Sequence, residues 1–229
     1  MVGFANDGVR DAARGNMVVG QLIANGIRDP ALLSAMGGVA RELFLPERLQ
    51  GKAYADENIR LDSRHILFSP RIEAKLLLLA EPKPTDFVLD AGAFTGYTAA
   101  VMAGMTRAVV ALESDESVCD GAQQLLIDAQ IDNVAVLNLP PEQGFAAQSP
   151  FDIVFLDGVV SRIPDALIDQ LAENGRLVAV VADTGDTAGK AVKIVKKNAE
   201  PFRSTAFEIE LGGFLSSNDV KSFDFETLS

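Results

Sequence analysis

From Pro82 onward, short apolar runs alternate with segments of helical spacing, and that alternation restricts the possible folds more than any other feature of the chain. Phe87 to Leu89, Ala108 to Leu112, Val134 to Leu137, Ile153 to Leu156 and Arg176 to Val181 have the length and apolar density of buried strands. Strands separated by helices are joined in parallel, so these five predict a doubly wound α/β core. The helix between the second and third strands opens at Ser114 or Asp115 and carries Val118, Ala122, Leu125, Leu126 and Ala129 at helical spacing. Farther along the period changes to two. Phe207, Ile209 and Leu211 share one side of Ala206 to Leu211, and Phe223 and Phe225 alternate again, which predicts a closing antiparallel hairpin.

Residues 1–80 read as a helical and loop cover, and residues 81–229 as the α/β core, together one structural unit. Asp29 and Pro30 supply an N-cap and a first-turn proline for a helix over Ala31 to Met36, which Gly37 and Gly38 interrupt. The segment Arg41 to Pro46 breaks at its proline, and an irregular stretch then runs from Glu47 to Leu67. Loops of that length usually cover or serve a site. Ser69 and Pro70 repeat the capping signal ahead of Ile72, Leu76 and Leu79.

Composition excludes several classes. With 229 residues and 48% hydrophobic content, the chain can bury one sizeable core. A net charge of −12 opposes a phosphate backbone, so no nucleic-acid partner is expected. Cys119, alone, has no disulfide or metal-site partner and suits a reducing compartment. No apolar run approaches the roughly 18 residues of a membrane span, and the N-terminus, with Asp7, Arg10, Asp11 and Arg14, is charged and helical rather than signal-like. A soluble, cytoplasmic protein without a metal is expected, of unassigned oligomeric state.

In a doubly wound sheet the ligand lies beyond the carboxyl ends of the strands, where strand order reverses. The first strand ends at Asp90 and Ala91, Gly92 and Gly96 punctuate the turn, and a helix begins at Tyr97. The second strand ends at Glu113, about 20 residues on, where a carboxylate can accept hydrogen bonds from ribose hydroxyls. Glu113 is the best single match to a cofactor contact; the lesser reading is a helix-dipole carboxylate before Asp115 and Glu116. A dinucleotide fingerprint, G-x-G-x-x-G, would need glycine at Phe94 and Tyr97. The methyltransferase pattern [DE]-x-G-x-G-x-G retains Asp90, Gly92 and Gly96 and lacks only the central glycine, here Phe94. The aromatic ring at that position could fill the place of the cofactor's methionine part or pack aside as a wall.

A longer match names a family. Gln21 and Leu22, Gly26 and Ile27, Asp29 and Pro30, Ala35 and Met36, Val39, Arg41 and Glu42, Phe44 and Pro46, then Ala53 to Asp56, resemble the N-terminal half of protein-L-isoaspartate O-methyltransferase. The similarity continues through Ser69 and Pro70, the Leu89 to Tyr97 turn, Asn133 and Val134, Pro150 to Asp152, and Ile163 and Pro164. The resemblance implies a doubly wound, mostly parallel, seven-stranded class I methyltransferase sheet, Rossmann-like, with an N-terminal helical cover. It also implies a protein-repair enzyme that moves a methyl group from S-adenosyl-L-methionine to the carboxylate of an isoaspartyl residue in a damaged protein or peptide. The expected cofactor contacts are Asp90, Ala91, Gly92, Gly96, Tyr97 and Glu113, and the expected substrate contacts are Asp56, Phe68 and Ser69.

The reaction needs little acid or base help, because a carboxylate is already a nucleophile and alignment does most of the work. No catalytic residue is assigned on this basis, and His65 reads as a loop residue. Three departures from the family pattern fall near the expected cleft. The substrate loop, Gly-x-Gly-Gln-Thr-Ile-Ser-x-Pro in the family, is here Asp62 to Pro70, with Phe68 at the serine position and Ser69 one place late, as an N-cap. Leu139, Pro140 and Pro141 replace Gly-Asp-Gly, and Phe94 replaces glycine. Asp157, where the family has threonine, is either a polar ligand contact or a turn cap. These departures raise the alternative of an inactive or redirected relative acting as a binding protein.

Overall fold

The computed structural model of the chain describes residues 4–62 and 65–212. Helices α1 (Phe4–Met17), α2 (Pro30–Gly38) and α3 (Pro70–Ala80) precede the sheet, with a short antiparallel ribbon of β1 (Ile59–Arg60) and β2 (Ile66–Leu67) between the last two. Then follow β3 (Phe87–Ala91), α4 (Tyr97–Ala103), β4 (Ala108–Glu113), α5 (Glu116–Asp128), β5 (Val134–Asn138), β6 (Phe151–Val160), α6 (Asp165–Asp169), β7 (Leu171–Val181), β8 (Ala188–Lys197) and β9 (Glu200–Glu210). The seven strands β3 to β9 form one sheet in the order β5-β4-β3-β6-β7-β8-β9. All pairings from β5 to β7 are parallel, and β8 is antiparallel to both of its neighbours.

The apolar runs are continuous because both faces of the parallel strands are covered. Val88, Val109, Ala111, Ile153, Phe155 and Val178 join the cover residues Leu22, Met36, Phe44, Phe68 and Leu77 in one apolar core. Their neighbours Leu89, Val110, Leu112, Val154, Leu156 and Leu177 face the other way, onto Ile163 and Leu167 beside α6. Period-two alternation therefore assigns each residue to its face. Arg176 ties α3 to the sheet: it pairs with Asp86 at 2.6 Å and donates through Nε to the Ala80 carbonyl.

Local signals explain the element boundaries. The Asp29 carboxylate accepts from the Leu32 amide at 2.8 Å and starts α2, while the Asp115 carboxylate accepts from Ser117 and Val118 and starts α5. Ser69 stands at the N-cap position of α3 but does not cap it with its side chain; its hydroxyl is buried without a partner. Pro70 occupies the first helical position, as Pro30 does in α2. An antiparallel hairpin closes the described sheet, and β9 contains most of the expected Ala206 to Leu211 segment. The hairpin's strands are β8 and β9, while Phe223 and Phe225 lie outside the described residues. Lysines 190, 193, 196 and 197 interrupt the apolar residues of β8, which hides its strand character in the sequence. The stretch from Glu47 to Leu67 holds a 3₁₀ segment at Glu47–Lys52 as well as the ribbon.

Candidate active site

Strand order reverses between β3 and β6, and a cleft of about 550 Å³ opens there. Its walls are Ala91 to Thr95 after β3, Leu156 to Val160 on β6, Leu61 and His65 to Leu67 of the ribbon, and Pro141. Two irregularities shape it. The pairing of β6 with β7 slips between Phe155 and Val159, so the strand bulges at Asp157 and Gly158, and Gly158 has φ of +101°. The turn after β3 runs through three left-handed residues, Gly92 (φ +86°), Phe94 (φ +41°) and Gly96 (φ +82°). Gly92 also meets the Asp157 carbonyl so closely that an added Cβ would lie 3.2 Å from it.

Phe94 thus takes a backbone conformation that glycine adopts freely, and its ring packs face to face on the His65 imidazole, centroids 4.0 Å apart. The ring forms part of the cleft wall. His65, read from sequence as a loop residue, also lines the cleft. Its Nδ1 lies 2.7 Å from Asp62 Oδ2, and its amide donates to the other oxygen of the same carboxylate.

Behind the glycine turn lies a buried group of acids. Asp90 is fully buried, and neither carboxylate oxygen has a hydrogen-bond partner. Burial, then the nearby Asp157 and Glu73, push its pKa well above the ordinary carboxylate value. Asp157 on the cleft wall is raised in the same way, first by burial and then by Glu73. Glu73, on α3, is raised by burial and partly restored by Arg41 and by Thr98, whose hydroxyl donates to it at 2.9 Å. Arg41 is itself buried. It donates to the carbonyls of Ala53 and Phe68 and lies 4.6 Å from the Tyr97 ring centre. These acids and Arg41 link the cover to the sheet just beneath the cleft.

The other expected residues fall in different places. Ala91 and Gly92 line the cleft, whereas Gly96 starts α4 and packs toward Ala122 and Leu126. Tyr97 is buried against Phe44 and Arg41 with no partner for its hydroxyl. Glu113 uses one oxygen, Oε1, to accept from the Ser114 and Asp115 amides at 2.8 and 3.0 Å. Its Oε2 makes no hydrogen bond among the described residues and remains available to a ligand. Phe68 is wholly buried in the core and does not line the cleft. Asp56 and Ser69 line a separate open hollow of about 680 Å³, where Asp56 pairs with Arg71.

A mostly parallel seven-stranded sheet, with a glycine turn at its switch point and carboxylates at adjoining strand ends, defines a Rossmann-like fold of the class I methyltransferase type. The sequence profile of protein-L-isoaspartate(D-aspartate) O-methyltransferase matches residues 13–209. The chain belongs to the protein-L-isoaspartate O-methyltransferase family. It is 36% identical over 198 residues to a protein-L-isoaspartate O-methyltransferase of Methylorubrum populi, covering 86% of this chain and 92% of that one. With the namesake of Methanospirillum hungatei it shares 32% over 194 residues, 85% and 88% of the two chains. Among solved structures, a protein-L-isoaspartate O-methyltransferase superposes with a TM-score of 0.75 at 24% identity, over 89% of this chain and 67% of that one. A candidate enzyme of the same description from Plasmodium falciparum, in complex with S-adenosyl-L-homocysteine, gives 0.72 at 21% identity, over 87% and 97%.

Proposed function

We propose that the chain transfers a methyl group from S-adenosyl-L-methionine to the free carboxylate of an L-isoaspartyl residue in a protein or peptide, and that the cleft at the β3–β6 switch point is where it does so. The single observation that carries the placement is Asp90: a fully buried carboxylate with two unpartnered oxygens directly beneath the glycine turn. Unpaired buried charge is costly, and a cationic ligand offsets that cost.

The residues present suit this cofactor. Its sulfonium and ammonium charges match Asp90 and Asp157, Gly92 leaves room for close backbone approach, and Glu113 Oε2 can accept from a ribose hydroxyl. The cofactor supplies a methyl group already activated on a sulfonium. The chain's own contribution is placement and exclusion of water: Leu61, Ile66, Leu67, Phe94 and Pro141 give the cleft apolar walls. No strong base is needed, since the acceptor carboxylate is nucleophilic at neutral pH.

Among the family departures, Phe68 is part of the core, and Phe94 forms part of the cleft wall, stacked on His65. No observation favours an inactive scaffold. Radiolabelled methyl transfer to a synthetic isoaspartyl peptide, with its aspartyl isomer as control, tests the reading. Label in the isoaspartyl peptide alone is expected; no label in either peptide contradicts it.

A further inference from the structure

The cleft is electrically lopsided. Among the described residues that line it, two carry side chains able to hold charge, Asp157 and His65. Asp157 stands on the β6 wall with Asp90 and Glu73 near it, an acid cluster suited to a cation and offering no cationic partner to a carboxylate. The ribbon side carries the imidazole. An acceptor carboxylate entering the cleft therefore finds its nitrogen donor on the ribbon side, at the imidazole.

We propose that His65 is the residue that binds the acceptor's free carboxylate, donating a charge-assisted hydrogen bond from Nε2 and so selecting for a carboxylate-bearing side chain. This assignment rests on the methyl-transfer reading given above. The geometry supports it in three ways. Nδ1 lies 2.7 Å from Asp62 Oδ2, a contact that fixes the orientation of the ring. The face-to-face stack on Phe94 holds the ring plane against the glycine turn. Nε2 makes no hydrogen bond among the described residues, so the second nitrogen is unused. Among the described residues, the charged groups on this side are Asp62 on the ring's own loop and Arg60, whose Nε donates to the Asp62 carbonyl at 3.0 Å, and Asp157 lines the β6 wall of the same cleft. Phe94 then serves as the platform for the imidazole, which gives the aromatic side chain at a left-handed position a purpose.

His65 is the chain's only histidine, so its imidazole gives an isolated NMR resonance in protein lacking a histidine tag. With S-adenosyl-L-homocysteine present, an isoaspartyl peptide is expected to move that resonance saturably, while the same peptide with its free carboxyl converted to an amide leaves it in place. His65→Phe keeps a ring on Phe94 and removes the donor. The variant is expected to raise KM for the isoaspartyl peptide about tenfold, the usual worth of one charge-assisted hydrogen bond, with the loss in KM rather than kcat. S-adenosyl-L-homocysteine affinity should stay within about twofold, since the substitution leaves the acid wall intact. An unmoved resonance in wild-type protein, or a wild-type KM in His65→Phe, overturns the assignment. The NMR arm needs no variant and stands if His65→Phe does not fold. Failure of wild-type protein to methylate any isoaspartyl peptide removes the functional reading itself, and this assignment with it. Methylation by wild-type protein together with an unaffected His65→Phe removes only the assignment.

Discussion

The ends of two neighbouring strands treat their carboxylates in opposite ways. At the end of β4, Glu113 is met at once by amides, because the chain turns there into α5 and presents the N–H groups of Ser114 and Asp115 to Oε1. In β3, Asp90 is directed beneath α3 and α4, where its oxygens find no donor, and Asp157 and Glu73 add further negative charge. One carboxylate is held by its own chain and has one oxygen left over. The other is stored at a cost that only a ligand or a proton relieves. The contrast separates a group that shapes the turn and orients a ligand from a group that supplies electrostatic driving force.

Removing the cation set against the acids should produce the largest effect. Arg41→Ala leaves the Ala53 and Phe68 carbonyls without a donor and takes a positive charge away from Glu73 and Asp157. A loss of about 3–5 kcal/mol in urea unfolding is expected, typical of breaking one side of a buried charge network. A loss under about 1 kcal/mol would show that the acids are held neutral without Arg41.

Asp90→Asn should act in the opposite direction. Burial raises the folded-state pKa above the usual 3.8, so the folded chain keeps this proton when the unfolded chain has lost it. The group's stabilising contribution is therefore complete below about 3.8 and is lost as pH rises through the raised folded value. Without cofactor, the variant is expected to be more stable than wild type by about 1–3 kcal/mol at pH 8, with the gap closing toward pH 4. A variant less stable than wild type at both pH values would mean that the Asp90 carboxylate is paired in the folded chain.

Glu113→Ala is the mildest of the three for stability. Losing acceptors for two turn amides should cost about 1–2 kcal/mol, and loss of the second oxygen should weaken cofactor binding by about 1–3 kcal/mol. Unchanged affinity with reduced stability would leave Glu113 a turn cap and nothing more.

Both strand ends are legible in the sequence, whereas the groups packed around them are not. Glu113 was readable because its spacing from the glycine turn follows from the length of one βα unit, and Asp90 because it precedes that turn. Glu73 gives no signal, and Arg41 only a place in the family resemblance, since their role depends on a tertiary contact between the cover and the sheet. Asp56, Phe68 and Ser69 were placed by alignment alone; burial sends Phe68 into the core, and the ion pair with Arg71 holds Asp56 in another hollow. His65 was passed over because a lone histidine has no period, although Asp62 three residues earlier is the partner that fixes it. The parallel strands were legible as apolar runs, whereas the lysine-interrupted β8 was not.

The central claim is that the acids at the β3–β6 switch point await a cation from the cofactor. Calorimetric titration of wild-type protein with S-adenosyl-L-methionine at pH 7, in buffers of low and high ionisation enthalpy, tests it most directly. Binding at about 1–100 μM is expected, with a proton released as the bound cation draws Asp90 into its charged form, so heat varies with buffer and affinity rises with pH. Absence of binding at millimolar cofactor, or binding whose heat is the same in both buffers, would contradict it.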